Sequence, residues 1–173
     1  MLDIINKAKP VKLLVTDVDG VLTDGSLFFG NSGEEMKAFS ILDGLGIKLL
    51  RDSGIDTAII TGRVSDLVAR RAGELGITLI YQGREDKRTA LEELCGDLQL
   101  PLSAVAYIGD DLPDLGAIRA AGLGVAVANA HSFVAQHADW QTSRQGGAGA
   151  VRETCELIMK AQGTLTASWE RFL

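Results

Sequence analysis

Two carboxylates stand two residues apart in LLVTDVDGVLTDG: Asp17 ends a run of apolar and β-branched residues, and Asp19 follows just before Gly20. Side chains alternate along a strand, so both face the same way wherever the extended backbone continues past the strand end. Like charges so close either take up a proton or hold a cation. Further along, TGR supplies Thr61, Gly62 and Arg63, Lys87 opens a helical segment, and GDDLPD supplies Asp110, Asp111 and Asp114. Aspartate and carbonyl oxygens suit Mg²⁺, which keeps waters and accepts a phosphate oxygen. A lysine, a hydroxyl and backbone N–H groups suit the remaining phosphate oxygens. Together these types meet the needs of phosphoryl transfer: an in-line nucleophile, charge neutralisation and a proton for the leaving alkoxide. Asp17 is the expected nucleophile, forming an aspartyl phosphate. Asp19 is the expected acid for the leaving oxygen and then the base that activates water.

Such residues need a frame that gathers them. Short apolar runs recur as VKLLVTD (11–17), IDTAIIT (55–61), ITLIY (77–81), AVAYIGD (104–110) and LGVAVA (123–128). Near-continuous apolarity marks strands covered on both faces. Between them lie helix-period stripes, one of Val64, Leu67, Val68 and Leu75, another of Leu91, Leu94, Cys95 and Leu98, and a third of Leu42, Leu45 and Leu49. The alternation predicts a doubly wound, Rossmann-like α/β fold with a parallel sheet in one domain spanning 1–173. In such sheets ligands bind beyond the carboxyl ends of the strands, and every suspicious residue falls at such an end. Residues 26–40, SLFFGNSGEEMKAFS, break the rhythm and read as an inserted β-hairpin after the first strand. Its Phe28, Phe29, Met36 and Phe39 call for a packing partner, within the domain or on another subunit. A last helix is expected over 149–162, followed by a tail, 163–173, that carries Trp169 and Phe172.

The totals narrow the partners. The 173 residues carry a net charge of −6, which disfavours nucleic acid and anionic membrane as the main partner. No apolar run reaches the roughly 20 residues of a membrane helix. Cys95 and Cys155 are far apart without metal-ligand spacing, and both read as core residues in a reduced, cytoplasmic protein. His131 and His137 lack metal-ligand partners. Asp24 reads as a turn residue and Trp140 as packing.

DVDG, TGR, Lys87 and GDDLPD, in this order, resemble the four motifs of the haloacid-dehalogenase-like phosphohydrolases. The resemblance assigns Asp17 as nucleophile, Asp19 as acid/base, and Thr61 and Lys87 as phosphate binders. It makes Asp110 a Mg²⁺ ligand with the Asp17 carboxylate and the Asp19 backbone carbonyl, supported by Asp111 and Asp114. DGLGIKLL, LGITLIYQG and GGAGAVRE extend the similarity to a small branch without a cap domain, whose members cleave the phosphate of an eight-carbon sugar acid on the way to lipopolysaccharide. Its members form homotetramers built around the hairpins, and a neighbour's C-terminal tail can close the site. By that resemblance the sugar-acid phosphate contacts Ser40, Ile41, Leu42, Asp43, Gly44, Lys48, Gly62, Arg63 and Arg71, along with Lys87. Leu42 and Ala148 depart from the larger, often basic residues that relatives carry there. A nine-carbon sugar-acid phosphate is the alternative substrate. A receiver domain that stores phosphate on aspartate, or a non-catalytic activator domain, is the alternative of another class.

Overall fold

The computed structural model describes residues 2–173. In chain order it contains α1 (Leu2–Ala8), β1 (Leu13–Thr16), β2 (Phe28–Phe29), β3 (Glu35–Met36), α2 (Ile41–Asp52), β4 (Asp56–Ile60), α3 (Asp66–Leu75) and β5 (Leu79–Tyr81). There follow α4 (Lys87–Asp97), β6 (Val105–Gly109), α5 (Leu115–Ala120), β7 (Leu123–Ala126), α6 (Ser132–His137), β8 (Trp140–Gln141), α7 (Ala150–Ala161) and α8 (Leu165–Glu170). Single 3₁₀ turns lie at Leu102–Ala104 and Leu112–Asp114.

Six strands form one parallel sheet in the order β5-β4-β1-β6-β7-β8. From β1 the chain winds outward through β4 and β5, then returns to the other side of β1 and winds outward through β6, β7 and β8. The reversal leaves a crevice between the ends of β1 and β6. Strand side chains alternate between two helical layers. Leu14, Ile59, Ala106 and Ile108 pack with α1, α2, α3 and α7, while Leu13, Val15, Ala58, Ile60 and Tyr107 pack with α4, α5 and α6. Both faces are covered, which is why these strands read as unbroken apolar runs.

Local chemistry ends the helices. Ser40 accepts from the Leu42 and Asp43 N–H groups to start α2, and Asp86 accepts from the Thr89 N–H to start α4. Gly76, at φ 74°, closes α3 in the left-handed region.

Several expectations are corrected. Val64 precedes α3 and is exposed, so the buried stripe of that helix is Val68, Ala72 and Leu75. Leu42 and Leu45 face outward on α2, whose buried face is Asp43, Gly44, Gly46, Ile47, Leu49 and Leu50. Leu98 lies at the exposed end of α4. The residues after 162 fold into α8, which packs on α7 and buries Ser168. Arg171 ion-pairs with Asp52 at the C-terminal end of α2, at the far end of the sheet from the strand carboxyl ends. The antiparallel pair within 26–40 is two residues per strand, Phe28 opposite Met36 and Phe29 opposite Glu35. α1 and the two-residue β8 carried too little pattern to be read from sequence.

The α4 stripe offers a direct check. Leu94→Ala should cost about 2–5 kcal/mol in urea unfolding, as a large-to-small change in a sealed core. Leu98→Ala should cost roughly 1 kcal/mol or less. Equal losses would contradict the exposed placement of Leu98.

Candidate active site

The parallel ladder continues one residue beyond β1: the Asp17 N–H donates to the Ile108 carbonyl at 3.1 Å. This fixes Asp17 beside the loop leaving β6. Gly20, at φ 96°, then turns the chain so tightly that a Cβ there would collide with Asp110 Oδ2. Gly146 abuts the Gly20 carbonyl with no space for a Cβ, and Gly147 N–H donates to the Val21 carbonyl at 2.8 Å. The glycine-rich loop before α7 therefore braces the loop that carries Asp19.

Lys87 enters from the first residue of α4, with its Nζ 3.0 Å from Asp17 Oδ1 and 2.7 Å from Asp114 Oδ1. Asp114 is 1% exposed and its acceptors are taken. Oδ1 also receives the Tyr107 hydroxyl at 2.9 Å, while Oδ2 receives the N–H groups of Asp110 at 3.1 Å and Asp111 at 3.3 Å. Asp111 in turn accepts from the Leu112 N–H at 2.8 Å. Asp111 and Asp114 thus shape the loop that presents Asp110.

Asp17 is 5% exposed. Lys87 lies at ion-pair distance, yet no directed hydrogen bond reaches the buried Asp17 Oδ1. Asp17, Asp110 and Asp114 each bring a carboxylate oxygen within 4.8 Å of the others. A small hard cation fits this donor set, because three neighbouring carboxylates face a single ammonium group and the charge is left unbalanced.

The electrostatics agree. Burial, then repulsion from Asp114, raises the Asp17 carboxyl from the ordinary 3.8 to about 7 against the pull of Lys87. Burial, then Asp114 and Asp17, raises Asp110 likewise to about 7. Burial opposes the charge on Lys87, but Asp114 and Asp17 outweigh it and hold the ammonium above its usual range.

Asp17, Asp19, Thr61, Gly62, Arg63, Lys87, Asp110, Asp111 and Asp114 line a single cleft of about 390 Å³, joined by Glu85 and Pro113. Glu85 and Pro113 were not singled out from sequence. Nor was Lys37, whose ammonium donates to Asp19, nor Glu35, which pairs with Arg63 at 3.1 Å. The signal for the last two was present: in GEEMKAF, period two puts Glu35 and Lys37 on one face and Met36 on the other.

The other expected substrate contacts do not line this cleft. Asp43 is buried, and its carboxylate accepts from the Arg152 N–H at 2.8 Å and the Gly149 N–H at 3.3 Å, capping α7. Ser40 is occupied with capping α2. Ile41, Leu42 and Lys48 are exposed on α2, outside the cleft. Gly44 packs beneath Arg71, whose guanidinium donates to the Ser40 carbonyl at 3.4 Å and pairs with Glu74 at 3.2 Å. His131 caps α6 through Nδ1, and Asp24 accepts from the Ser26 N–H in a local turn.

A parallel sheet with a switch-point crevice, a buried aspartate at the end of its first strand and a lysine-bridged acidic loop define a class, and known proteins identify it. The profile of the haloacid dehalogenase-like hydrolases matches residues 74–152. The chain is 51% identical to the 3-deoxy-D-manno-octulosonate 8-phosphate phosphatase of Yersinia pestis, over 94% of this chain and 87% of that protein. Among solved structures, it resembles the 3-deoxy-D-manno-octulosonate 8-phosphate phosphatase of Moraxella catarrhalis, in complex with magnesium, phosphate and KDO. The TM-score is 0.99 at 51% identity, covering 100% of this chain and 99% of that one. The cobalt-bound deoxy-D-mannose-octulosonate 8-phosphate phosphatase of Haemophilus influenzae follows with a TM-score of 0.90 at 43% identity, covering 93% of this chain and 94% of that one. The chain belongs to the 3-deoxy-D-manno-octulosonate 8-phosphate phosphatase family.

Three outcomes are expected of the buried carboxylates. Both raised carboxyls bind protons more readily in the folded than in the unfolded chain between about pH 4 and 7. With a chelator present, their contribution to stability should therefore grow as pH falls from 8 towards 5, and Mg²⁺ should raise the urea midpoint at pH 8. A midpoint indifferent to Mg²⁺ at pH 8 would remove the ion from this cluster. Asp43→Ala should lower stability by about 1–2 kcal/mol through the lost α7 cap while leaving KM unchanged, read by urea unfolding beside steady-state kinetics.

Proposed function

We propose that this chain is a Mg²⁺-dependent phosphatase that hydrolyses 3-deoxy-D-manno-octulosonate 8-phosphate to the free sugar acid and phosphate, a step in lipopolysaccharide biosynthesis. The observation that carries the reading is Asp17, a buried carboxylate in a cleft that also holds Thr61 and Lys87, whose ammonium lies 3.0 Å from Asp17 Oδ1. Family membership at about half identity supplies the substrate.

In this mechanism Lys87 and the Thr61 hydroxyl receive the phosphoryl oxygens, with the Gly62 backbone and Arg63 at the cleft wall. An Asp17 oxygen attacks phosphorus, the bond from phosphorus to the sugar oxygen breaks, and the leaving alkoxide takes a proton from Asp19. Water then gives its proton to Asp19 and attacks phosphorus, and the bond to Asp17 breaks to release phosphate. One water is consumed and Asp17 is regenerated. Asp17, Asp110 and the Asp19 backbone carbonyl are the proposed holders of Mg²⁺, supported by Asp111 and Asp114. When bound, the ion neutralises charge on the transferring phosphoryl group.

The reading extends to a cytoplasmic homotetramer assembled through the hairpin. Its support is apolar exposure on β2 and β3: Phe28 at 49%, Phe29 at 67% and Met36 at 63%. In such an assembly Ser40, Ile41, Leu42, Gly44, Lys48 and Arg71 would form a sugar-acid surface beside a cleft. The tail at 163–173, remote from its own cleft, would be available to a neighbour's.

Phosphate release from 3-deoxy-D-manno-octulosonate 8-phosphate, with Mg²⁺ and with a chelator, against the nine-carbon sugar-acid phosphate and other sugar phosphates tests the reading. Metal-dependent, selective turnover is expected, lost in Asp17→Asn and reduced about 10²-fold or more in Asp19→Asn. Wild-type rates in Asp17→Asn with Mg²⁺ present would refute the mechanism, and preference for the nine-carbon acid would refute the substrate.

A further inference from the structure

The residue that chemistry most needs to hold still is Asp19, and the contacts of its carboxylate come from unexpected places. Lys37 lies just after β3, in the inserted segment. Its side chain is 1% exposed, and its ammonium donates to Asp19 Oδ1 and lies 3.5 Å from Glu35 Oε1. Arg63, from the loop after β4, faces the same two acids, with Nε 3.8 Å from Asp19 Oδ2 and Nη2 3.1 Å from Glu35 Oε1. The four groups form a closed ring of alternating charge in which each acid meets both bases. A lysine this buried persists only when paired, so its ammonium must stay on these two carboxylates. Arg63 is 44% exposed and its 3.8 Å approach to Asp19 is long, so Lys37 is the tighter partner.

We infer that Lys37 is a positioning residue for the phosphatase reaction: it pins one oxygen of Asp19, so that the other faces the cleft for proton transfer. Glu35 holds Lys37 in turn. The inference rests on the reading of Asp19 as the proton-transfer group. The hairpin is then part of the catalytic apparatus as well as a surface element. Among the described residues, Asp19 Oδ2 accepts no hydrogen bond and has Arg63 Nε no closer than 3.8 Å, which leaves it able to exchange a proton with the leaving group or with water, as a group serving as acid and then base requires. Loss of the pin lets the carboxylate rotate, and catalysis depends steeply on such geometry.

The test separates steps that need a proton from one that does not. A p-nitrophenolate leaving group departs without protonation, whereas a sugar alkoxide does not. Lys37→Met should lower kcat on 3-deoxy-D-manno-octulosonate 8-phosphate about 10-fold or more with KM changed less than about 2-fold. Single-turnover release of p-nitrophenolate, with enzyme in excess, should stay within about 2-fold of wild type. Lys37→Arg should recover most of the lost kcat. Wild-type kcat in Lys37→Met, or an equal slowing of p-nitrophenolate release, would overturn the inference, the latter by showing that Lys37 supports the whole loop. If Lys37→Met does not fold, Lys37→Arg and Glu35→Gln carry the test: a selective loss on the alkyl ester in Glu35→Gln supports the pin, and proportional losses on both esters refute it. A wild type that cleaves other alkyl phosphates and not this one would refute the substrate, while the ratio between alkyl and p-nitrophenyl esters still decides the role of Lys37.

Discussion

The site depends on one ammonium group. Lys87 Nζ lies between Asp17 and Asp114, both almost wholly out of water, and without it two buried carboxylates would face each other with nothing to offset the repulsion. The arrangement is asymmetric. Asp114 is saturated by Lys87, Tyr107 and two backbone N–H groups, so it stays fixed as an acceptor. Asp17 lines the cleft with Lys87 as its ion-pair partner and is the less tightly held of the two. Two chemically equal side chains are thus held to different degrees by their partners.

The fold serves this contact from three directions. β1 delivers Asp17 through one extra rung of the ladder, β6 delivers Asp110 and the capped turn behind it, and α4 delivers Lys87 at its first residue. Because β1 and β6 are neighbours at the reversal of strand order, no helix intervenes between their ends. The tight passage at Gly20, backed by Gly146, lets the Asp19 loop lie directly against the Asp110 loop. The separation of the reacting groups is therefore set by sheet register, which is stiff, and by two close glycine contacts, rather than by flexible side chains.

Much of this was legible in the sequence for the same physical reason. Doubly covered strands leave unbroken apolar runs, and residues at their ends are placed by the topology, so Asp17, Asp19, Thr61, Gly62, Arg63, Lys87, Asp110, Asp111 and Asp114 could be gathered before any coordinates. What failed was information that only packing carries. Leu42 and Leu45 fit a helical period, but the inward face of α2 includes Gly44 and Gly46, small enough to admit Arg71 and Arg152. Asp43, among the expected substrate contacts, caps a helix more than a hundred residues away, a partner that no local pattern encodes. α8 and β8 were too short to leave a period.

An acidic protein that takes a doubly anionic substrate must ration its cations. Of the bases lining the cleft, Lys87 is committed to carboxylates and Arg63 pairs with Glu35, while Lys37, outside the lining, is held by Asp19 and Glu35. Each cation at the mouth is already neutralised by an acid of the same chain, so an incoming anion competes with an internal carboxylate and does not meet a bare positive surface. Glu35 belongs to a two-residue strand whose opposite face, at Met36, is open to solvent. The strand period that turns Lys37 inward also turns Met36 outward. The short backbone that presents Met36 to solvent is thus the one that sets Lys37 against Asp19.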